Sequence, residues 1–432
     1  MSPILDSIGS VKVFGWGAAG STYFLADITA ENGGGEFNDM TVDSSGNIYA
    51  VGHQASGGSS QVIKFDSNGS ILWQKKLAPG SSCYAYDVRV DSSGNPYVVG
   101  TADSDAFILK LDSSGTTQWQ KELDGSSGVQ NFGLHIDSSD NIYTVGLGTV
   151  GTYDNIVTKY NTSGTVQWKK IWGRTGGQDY YGFGATTDSS GNIYVVGQNP
   201  GTIVKYNSSG TLQWQKNLDS IGNYSALYSV VADSSDNIYV SGTRAPNNNN
   251  QPPFTMLVAK YNSSGSIQWQ RYYGSSNRGY ATDLSIDSSN NLYVVGLSND
   301  AGDPYLMPIL KINSSGALQW QRKLGFSSKN TGANGVKLNS NGDICFAGYY
   351  EPSNTSNTKF LVGKLPSDGS LTGTYTLGND TFTYASGSLS DNTSSLTDGN
   401  MSKSVEDANS YNAGDAGLTI STSTLTGNKK GL

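Results

Sequence analysis

A chain of 432 residues that is 36% hydrophobic and only 14% charged, with 55 Gly and 26 Tyr against 11 Pro and 5 Met, is poor in helix formers and rich in strand and turn residues. Its 27 Lys plus Arg against 35 Asp plus Glu leave a net charge of -8, which excludes a diffuse basic surface for nucleic acid. No apolar run approaches the roughly 18 residues of a membrane helix, so membrane insertion is not expected.

In chain order, Met1 to Ser10 carries no basic start followed by an apolar core, and a secretory signal is not expected there. Residues 20–28, Gly20 to Ile28, line up with Gly69 to Leu77, and Phe24 falls where the second segment has Trp73. From about residue 37 the chain repeats itself. The phrase Asp-Ser-Ser-Gly-Asn-Ile-Tyr-x-Val-Gly begins at Asp43, Asp91, Asp137, Asp188, Asp233 and Asp287 and returns degraded at Asn339, at intervals of about fifty residues. Each copy is followed by Lys, an apolar residue, Asp or Asn, two small residues and Gly, then a Trp: Trp73, Trp119, Trp168, Trp214, Trp269 and Trp320. The seventh copy keeps the turn at Lys364 to Gly369 but has Gly373 in place of Trp.

Each copy divides into four segments of strand length, as in Tyr280–Ile286, Asn291–Gly296, Tyr305–Ile312 and Ala317–Leu324. The first alternates, with Leu284 and Ile286 on one face and Asp283 and Ser285 on the other, the period of a pleated strand. Asp-Ser-Ser-Gly-Asn and Asn-Ser-Ser-Gly make the hairpin turns: the Asx side chain bonds the amides ahead and Gly accepts a positive φ. A four-stranded unit of this size cannot cover both its faces, whereas seven arranged radially cover one another. The expected fold is all-β, a seven-bladed β-propeller of four-stranded blades over residues 20–377. Residues 20–29 are expected to complete the blade whose own fourth strand, near Leu371 to Thr376, lacks the Trp. Residues 1–19 and 378–432 are expected as extended arms.

The repeated phrase resembles the bacterial β-propeller repeat family, whose units read Asp-x-x-Gly-Asn-x-Tyr-Val-x-Gly and commonly number seven per ring. The resemblance covers about residues 37 to 377 and implies the fold, while the activity must come from the site. The opening Ile8-Gly9-Ser10-Val11-Lys12-Val13-Phe14-Gly15-Trp16-Gly17 resembles the N-terminal lead of structural proteins of tailed phages, particularly those of marine cyanobacteria.

Loops that differ between copies fall at 147–155, 243–255, 297–307 and 349–358, all on one rim, and variable loops on a rigid scaffold are where binding usually resides. That rim also collects Tyr84, Tyr86, Phe132, Tyr180, Tyr181, Phe183, Tyr224, Tyr228 and Tyr280, candidates for holding a saccharide or protein and equally for filling the gaps between blades. Tyr86, Phe132, Phe183 and Tyr228 each stand five residues before the turn Asp, a regularity that favours blade packing. The first strand of each blade should border a central channel, where Asp39, Asp87, Arg89, His135, Asp283 and Lys337 come together either as hydrated charges or around a ligand.

No cofactor and no metal is expected. Quinone-dependent dehydrogenases share a similar Gly-to-Trp phrase but normally have eight blades, and sialidases need an Arg cluster that is not evident. His53 and His135 lie in different repeats, and the two cysteines, Cys83 and Cys345, are expected as reduced, buried thiols. The Ser-, Thr-, Asn- and Gly-rich stretch after residue 377 has too few apolar residues for a core, although Leu418 to Ser421 could add a strand to a neighbour. The reading is a noncatalytic phage virion component at the tail, baseplate or fibre. Its arms would bind other virion proteins, and its variable rim a host-surface glycan or protein. A bacterial surface or secreted adhesin is the alternative.

Overall fold

A computed structural model describes residues 8–16, 23–30, 34–55, 58–78, 82–124, 128–149, 153–172, 181–198, 201–218, 225–245, 253–274, 277–299, 304–326, 329–352, 357–377, 380–393, 399–400, 405–407, 412–415 and 420–421. The chain is a seven-bladed β-propeller. Blade 1 comprises Gly35–Val42, Ile48–Gln54, Ser60–Phe65 and Ile71–Leu77, hydrogen-bonded as an antiparallel meander from the axis outward. The inner strands of blades 2 to 7 are Cys83–Val90, Val129–Ile136, Gly182–Thr187, Ser225–Ala232, Arg278–Ile286 and Thr331–Leu338. Among the described residues no helix is long and apolar enough to cross a membrane.

The residues that define the repeat hold the blades. Asp43 Oδ1 accepts the amides of Ser45 at 3.0 Å and Asn47 at 2.9 Å, and the same two bonds recur at Asp91, Asp137, Asp188, Asp233, Asp287 and Asn339. The repeated Tyr is buried and, in blades 1, 3, 4, 5 and 6, its hydroxyl donates to the turn Asp, as Tyr194 does to Asp188 at 3.0 Å. The repeated Lys lies over that ring, Lys205 Nζ being 4.8 Å from the Tyr194 centroid. Each Trp faces the Gly turn of the next blade, so that a Cβ added at Gly115 would stand 3.0 Å from Trp73. Asp, Tyr, Lys and Trp are therefore spent on the sheet and on the joint between sheets.

These turns carry a pH dependence. Burial opposes ionisation of Asp91, Asp188 and Asp233, but hydrogen bonds from Asn95, Asn192 and Asn237 outweigh it, with Lys110 and Lys205 helping the first two, and hold all three below the usual carboxylate range. A lowered folded-state pKa contributes stability that is complete above the unfolded value of about 3.9 and is lost as pH falls through the folded one. The melting temperature is expected to drop on acidification below about pH 4, and less so in an Asp91→Asn/Asp188→Asn/Asp233→Asn variant. Parallel melting curves for the two proteins across that interval would remove these turns as its cause.

Closure follows the alignment of residues 20–28. Tyr23–Ala30 pairs antiparallel with Lys359–Leu365 in blade 7. Phe24 stands opposite Lys364 just as Trp73 stands opposite Lys64, and it faces Gly69 of blade 1. Buried Asp27 accepts hydrogen bonds from Lys359 Nζ at 2.9 Å and the Tyr350 hydroxyl at 2.6 Å, tying the strand to its blade. The segment near Leu371 to Thr376, expected as a fourth strand of blade 7, is not there. Gly373–Leu377 instead forms a hairpin with Asp380–Ser386, which lies along the outer strand of blade 6. Leu377, Phe382 and Tyr384 are buried in a cluster with Leu324, Phe326 and Tyr350, so the hairpin fills the space between blades 6 and 7.

The C-terminal extension runs round the ring. Asp380–Ser386, Ser390–Thr393, Gly399–Asn400, Val405–Asp407, Asn412–Asp415 and Ile420–Ser421 add one strand each to blades 6, 5, 4, 3, 2 and 1 in that order. Ile8–Trp16 does the same for blade 7 by pairing with Tyr23–Ala30. Every blade thus has its outer edge covered, and the described parts of both arms, expected to engage other proteins, are laid on this chain's own sheets.

Candidate functional site

Every inner strand contains a one-residue β-bulge, because one residue per blade is skipped in the pairing with the second strand: Asn38, Tyr86, Phe132, Phe183, Tyr228, Thr282 and Asn334. In a regular strand this residue and the next would point to opposite faces. The bulge lets both face the axis, so the ring of bulged residues sits beside a second ring containing Asp39, Asp87, Ser229 and Asp283.

Both sets line one axial cavity of about 790 Å³. Tyr86, Phe132, Phe183, Tyr228 and Tyr280 of the expected rim aromatics reach it, as do Asp39, Asp87, Arg89, His135, Asp283 and Lys337, all six expected channel residues. Five of the nine rim candidates and all six channel candidates thus line one cavity. Tyr84, 38% exposed, stacks on Tyr86 with ring centres 6.2 Å apart, and Tyr181 stacks on Phe183 at 6.3 Å. Tyr180, Tyr224 and residues 246–252 of the 243–255 loop lie outside the described residues.

The ring of bulged residues has two halves. In blades 6, 7 and 1 its polar side chains latch neighbours: Thr282 Oγ1 donates to the Ala333 carbonyl, Asn334 Nδ2 to Phe37 and Asn38 Nδ2 to Ala85, each at 2.7 Å. In blades 2 to 5 the same position holds an aromatic ring, each in contact with the next: Tyr86–Phe132 at 5.0 Å, Phe132–Phe183 at 5.8 Å and Phe183–Tyr228 at 5.4 Å. Asn38, Thr282 and Asn334 were missed by sequence reasoning, although counting five residues back from each turn Asx finds them in the column of the aromatics.

Deeper in the channel, Arg89 Nη1 lies 2.6 Å from both Asp39 Oδ2 and Asp87 Oδ1, and Lys337 Nζ is 2.9 Å from Asp283 Oδ2. Asp87 Oδ2 also accepts the Leu134 amide at 2.7 Å, and Asp283 accepts the Val336 amide at 2.8 Å and the Ser229 hydroxyl at 2.6 Å. These carboxylates therefore join blades 2 to 3, 6 to 7 and 5 to 6. Burial raises the Asp87 pKa well above the usual range, Asp39 beside it adding to the effect, while Arg89 and Lys337 overcome burial at Asp39 and lower it. His135 is pushed down to about 4 by burial and by Arg89, so it is neutral, its Nε2 lying 2.9 Å from Thr187 Oγ1. Cys83 and Cys345 are free and buried, each pushed up to about 12 by burial, which leaves both as unreactive thiols at neutral pH. Among the described residues no group of three or more His, Cys, Asp or Glu is placed to hold a metal ion.

Residues 153–359, under half of the chain, match the family model described as outer membrane protein assembly factor BamB. The match runs from the third strand of blade 3 into blade 7, and the chain is similar to that family as a β-propeller repeat protein. No curated protein matches the sequence. Among solved structures, a gluconolactonase of Xanthomonas campestris is 11% identical over 84% of this chain and 98% of its own, with a TM-score of 0.38. An oligogalacturonate lyase in complex with manganese is 11% identical over 84% and 99%, TM-score 0.46. Drosophila plexin A in complex with semaphorin 1b is 10% identical over 84% and 88%, TM-score 0.42. These likenesses assign no activity, and none of the matches named is a phage structural protein.

Proposed function

We propose that this chain is a noncatalytic binding scaffold, whose ring supplies a rigid mount and whose axial cavity engages a group presented by another surface. One observation carries the reading: at the position where three blades carry a polar latch, the other four, consecutive in the ring, carry an unbroken arc of aromatic rings on the cavity. Phe132 and Phe183 cannot donate the hydrogen bond that Asn38 and Asn334 make, so this arc replaces a structural contact with an apolar face of the kind that binding sites use. The buried carboxylates support the same reading, since Asp39 and Asp87 are tied to Arg89 and Asp283 to Lys337, and Asp87 and Asp283 also accept backbone amides of neighbouring blades.

The setting proposed with it is a phage particle, on which the mouth of the cavity near Tyr84 would meet the host surface. Binding of the purified chain to intact bacterial cells and to a glycan array, repeated with Phe132→Leu/Phe183→Leu, tests the scaffold. Loss of binding in the variant is expected, and undiminished binding would remove the arc from the interface. Mass spectrometry of purified phage particles tests the setting. Absence of the chain from particles while it still binds cells would favour a bacterial surface adhesin.

A further inference from the structure

We infer that the axial cavity takes the uncharged end of an oligosaccharide, a sugar face laid on the aromatic arc and its hydroxyl groups turned to the polar blades. This rests on the binding role proposed above and names the ligand class of that same site. Two unlike walls face each other across the channel. On blades 3 to 5 stand Phe132, Phe183 and Tyr228, each partly exposed, with His135, Thr186 and Val231 three residues further along the same strands. On blades 6, 7 and 1 the equivalent places hold Thr282, Asn334 and Asn38, and blade 2 joins the walls with Tyr86 and Arg89. Asn38 and Asn334 each spend Nδ2 on a carbonyl of the next blade at 2.7 Å, which leaves Oδ1 of each as an acceptor.

The charges inside the cavity are already paired. Asp39 is held by Arg89 at 2.6 Å and Asp283 by Lys337 at 2.9 Å. Asp87, whose pKa burial raises with Asp39 adding to the effect, keeps its proton and hydrogen-bonds Asp39, and His135 is neutral. Glu36, its side chain 33% exposed, lines the cavity where water meets its charge. No inner charge is left for an ionic ligand to meet, and an ion taken from water without a counter-charge is costly.

A cavity of about 790 Å³ admits a small molecule or a chain end, not a folded surface. A peptide terminus would bring a charge that finds no partner there. A purely apolar group would fill the arc but displace water from Asn38 and Asn334 without offering them a donor. A pyranose has both surfaces, C–H groups on its faces and hydroxyls round its edge. The aromatic wall also continues toward the mouth: Tyr84 lies nearly parallel to Tyr86 and Tyr181 to Phe183, at interplanar angles of 12° and 10°, each two residues earlier in the chain. A second tier of rings suits a row of sugars entering along the axis.

Titration calorimetry of the full chain tests the class, with maltotriose, cellotriose and triacetylchitotriose as neutral probes and with trigalacturonate and the glucosamine trimer chitotriose as charged ones. At least one neutral probe is expected to bind, about tenfold or more weakly in Phe132→Leu, the worth of one aromatic contact, and equally well in Phe132→Tyr, which keeps the ring. p-Cresol, a ring without the hydroxylated edge, is expected to bind more weakly than that probe. Equal or tighter binding of a charged trisaccharide or of p-cresol would overturn the inference. Where no neutral probe binds, the neutral polysaccharide fraction of cells that the chain binds decides: competition with those cells upholds the class, and failure to compete overturns it. The scaffold still stands if cell binding is lost in Phe132→Leu/Phe183→Leu, and falls if that double variant binds cells undiminished. Absence of binding to probes and cells alike brings down both readings.

Discussion

Removal of residues 390–432 is expected to leave the ring folded and to make it self-associate. Five of the six C-terminal belt strands lie in that segment, and each is short, so the belt contributes modestly to stability at about 0.5–1.5 kcal/mol per hydrogen bond. Its larger consequence is what it covers. Without it, the outer strands Ile71–Leu77, Thr117–Asp124, Val166–Trp172, Leu212–Asn217 and Ile267–Gly274 present unpaired amides and carbonyls on five sides of the molecule. Lys76, Lys121, Lys170 and Lys216 on these edges will slow such pairing, and the register places Asp415 opposite Lys121 and Asp407 opposite Lys170 in the intact chain. Light scattering over a concentration series reads the effect. Mass should climb with concentration for the truncated chain and stay constant for the full one, with strand content by circular dichroism the same in both. A truncated chain of constant mass would show that the blades do not need their belt.

The second large effect is expected at the closure. Phe24→Ala should cost about 3–5 kcal/mol, the range for removing a buried aromatic side chain, because Phe24 is 2% exposed and fills the Trp place against the Gly69 turn. Phe24→Trp, which restores the residue of the other six blades, should be nearly neutral. Deleting residues 1–30 should be far worse than either. It removes Leu25, Ala26 and Ile28 along with Phe24, uncovers Phe360, Leu361 and Val362 on the facing strand, and leaves Lys359 without Asp27. Differential scanning calorimetry should show a broad, low transition for the deletion and a single lowered one for Phe24→Ala. A melting temperature unchanged by Phe24→Ala would mean that blade 7 holds without its N-terminal strand.

Sequence alone sufficed wherever the relevant contact is local or repeated. Asp43 and its counterparts bond amides two and four residues ahead, so their turns can be read one copy at a time, and seven copies in phase specify a ring. Closure was legible too, because Phe24 sits in a segment that aligns with the Trp strands, and an alignment carries register with it. The candidate channel residues were read from the polar positions of the first strand of each repeat, and all six line the cavity.

What the tertiary structure decided depends on contacts with no period in the chain. The bulges at Asn38, Tyr86 and their five equivalents insert a residue without altering composition, and an alternating reading puts Tyr86 and Asp87 on opposite faces. Only the folded strand turns both toward the axis and merges the aromatic and charged candidates into one cavity. The path of residues 373–421 was equally hidden. The belt strands from Asp380 to Ser421 are two to seven residues long, and their partners on the ring lie tens to hundreds of residues away. The pairing is made through backbone groups that every residue carries, so a polar tail becomes a belt only where a finished ring offers it edges to follow.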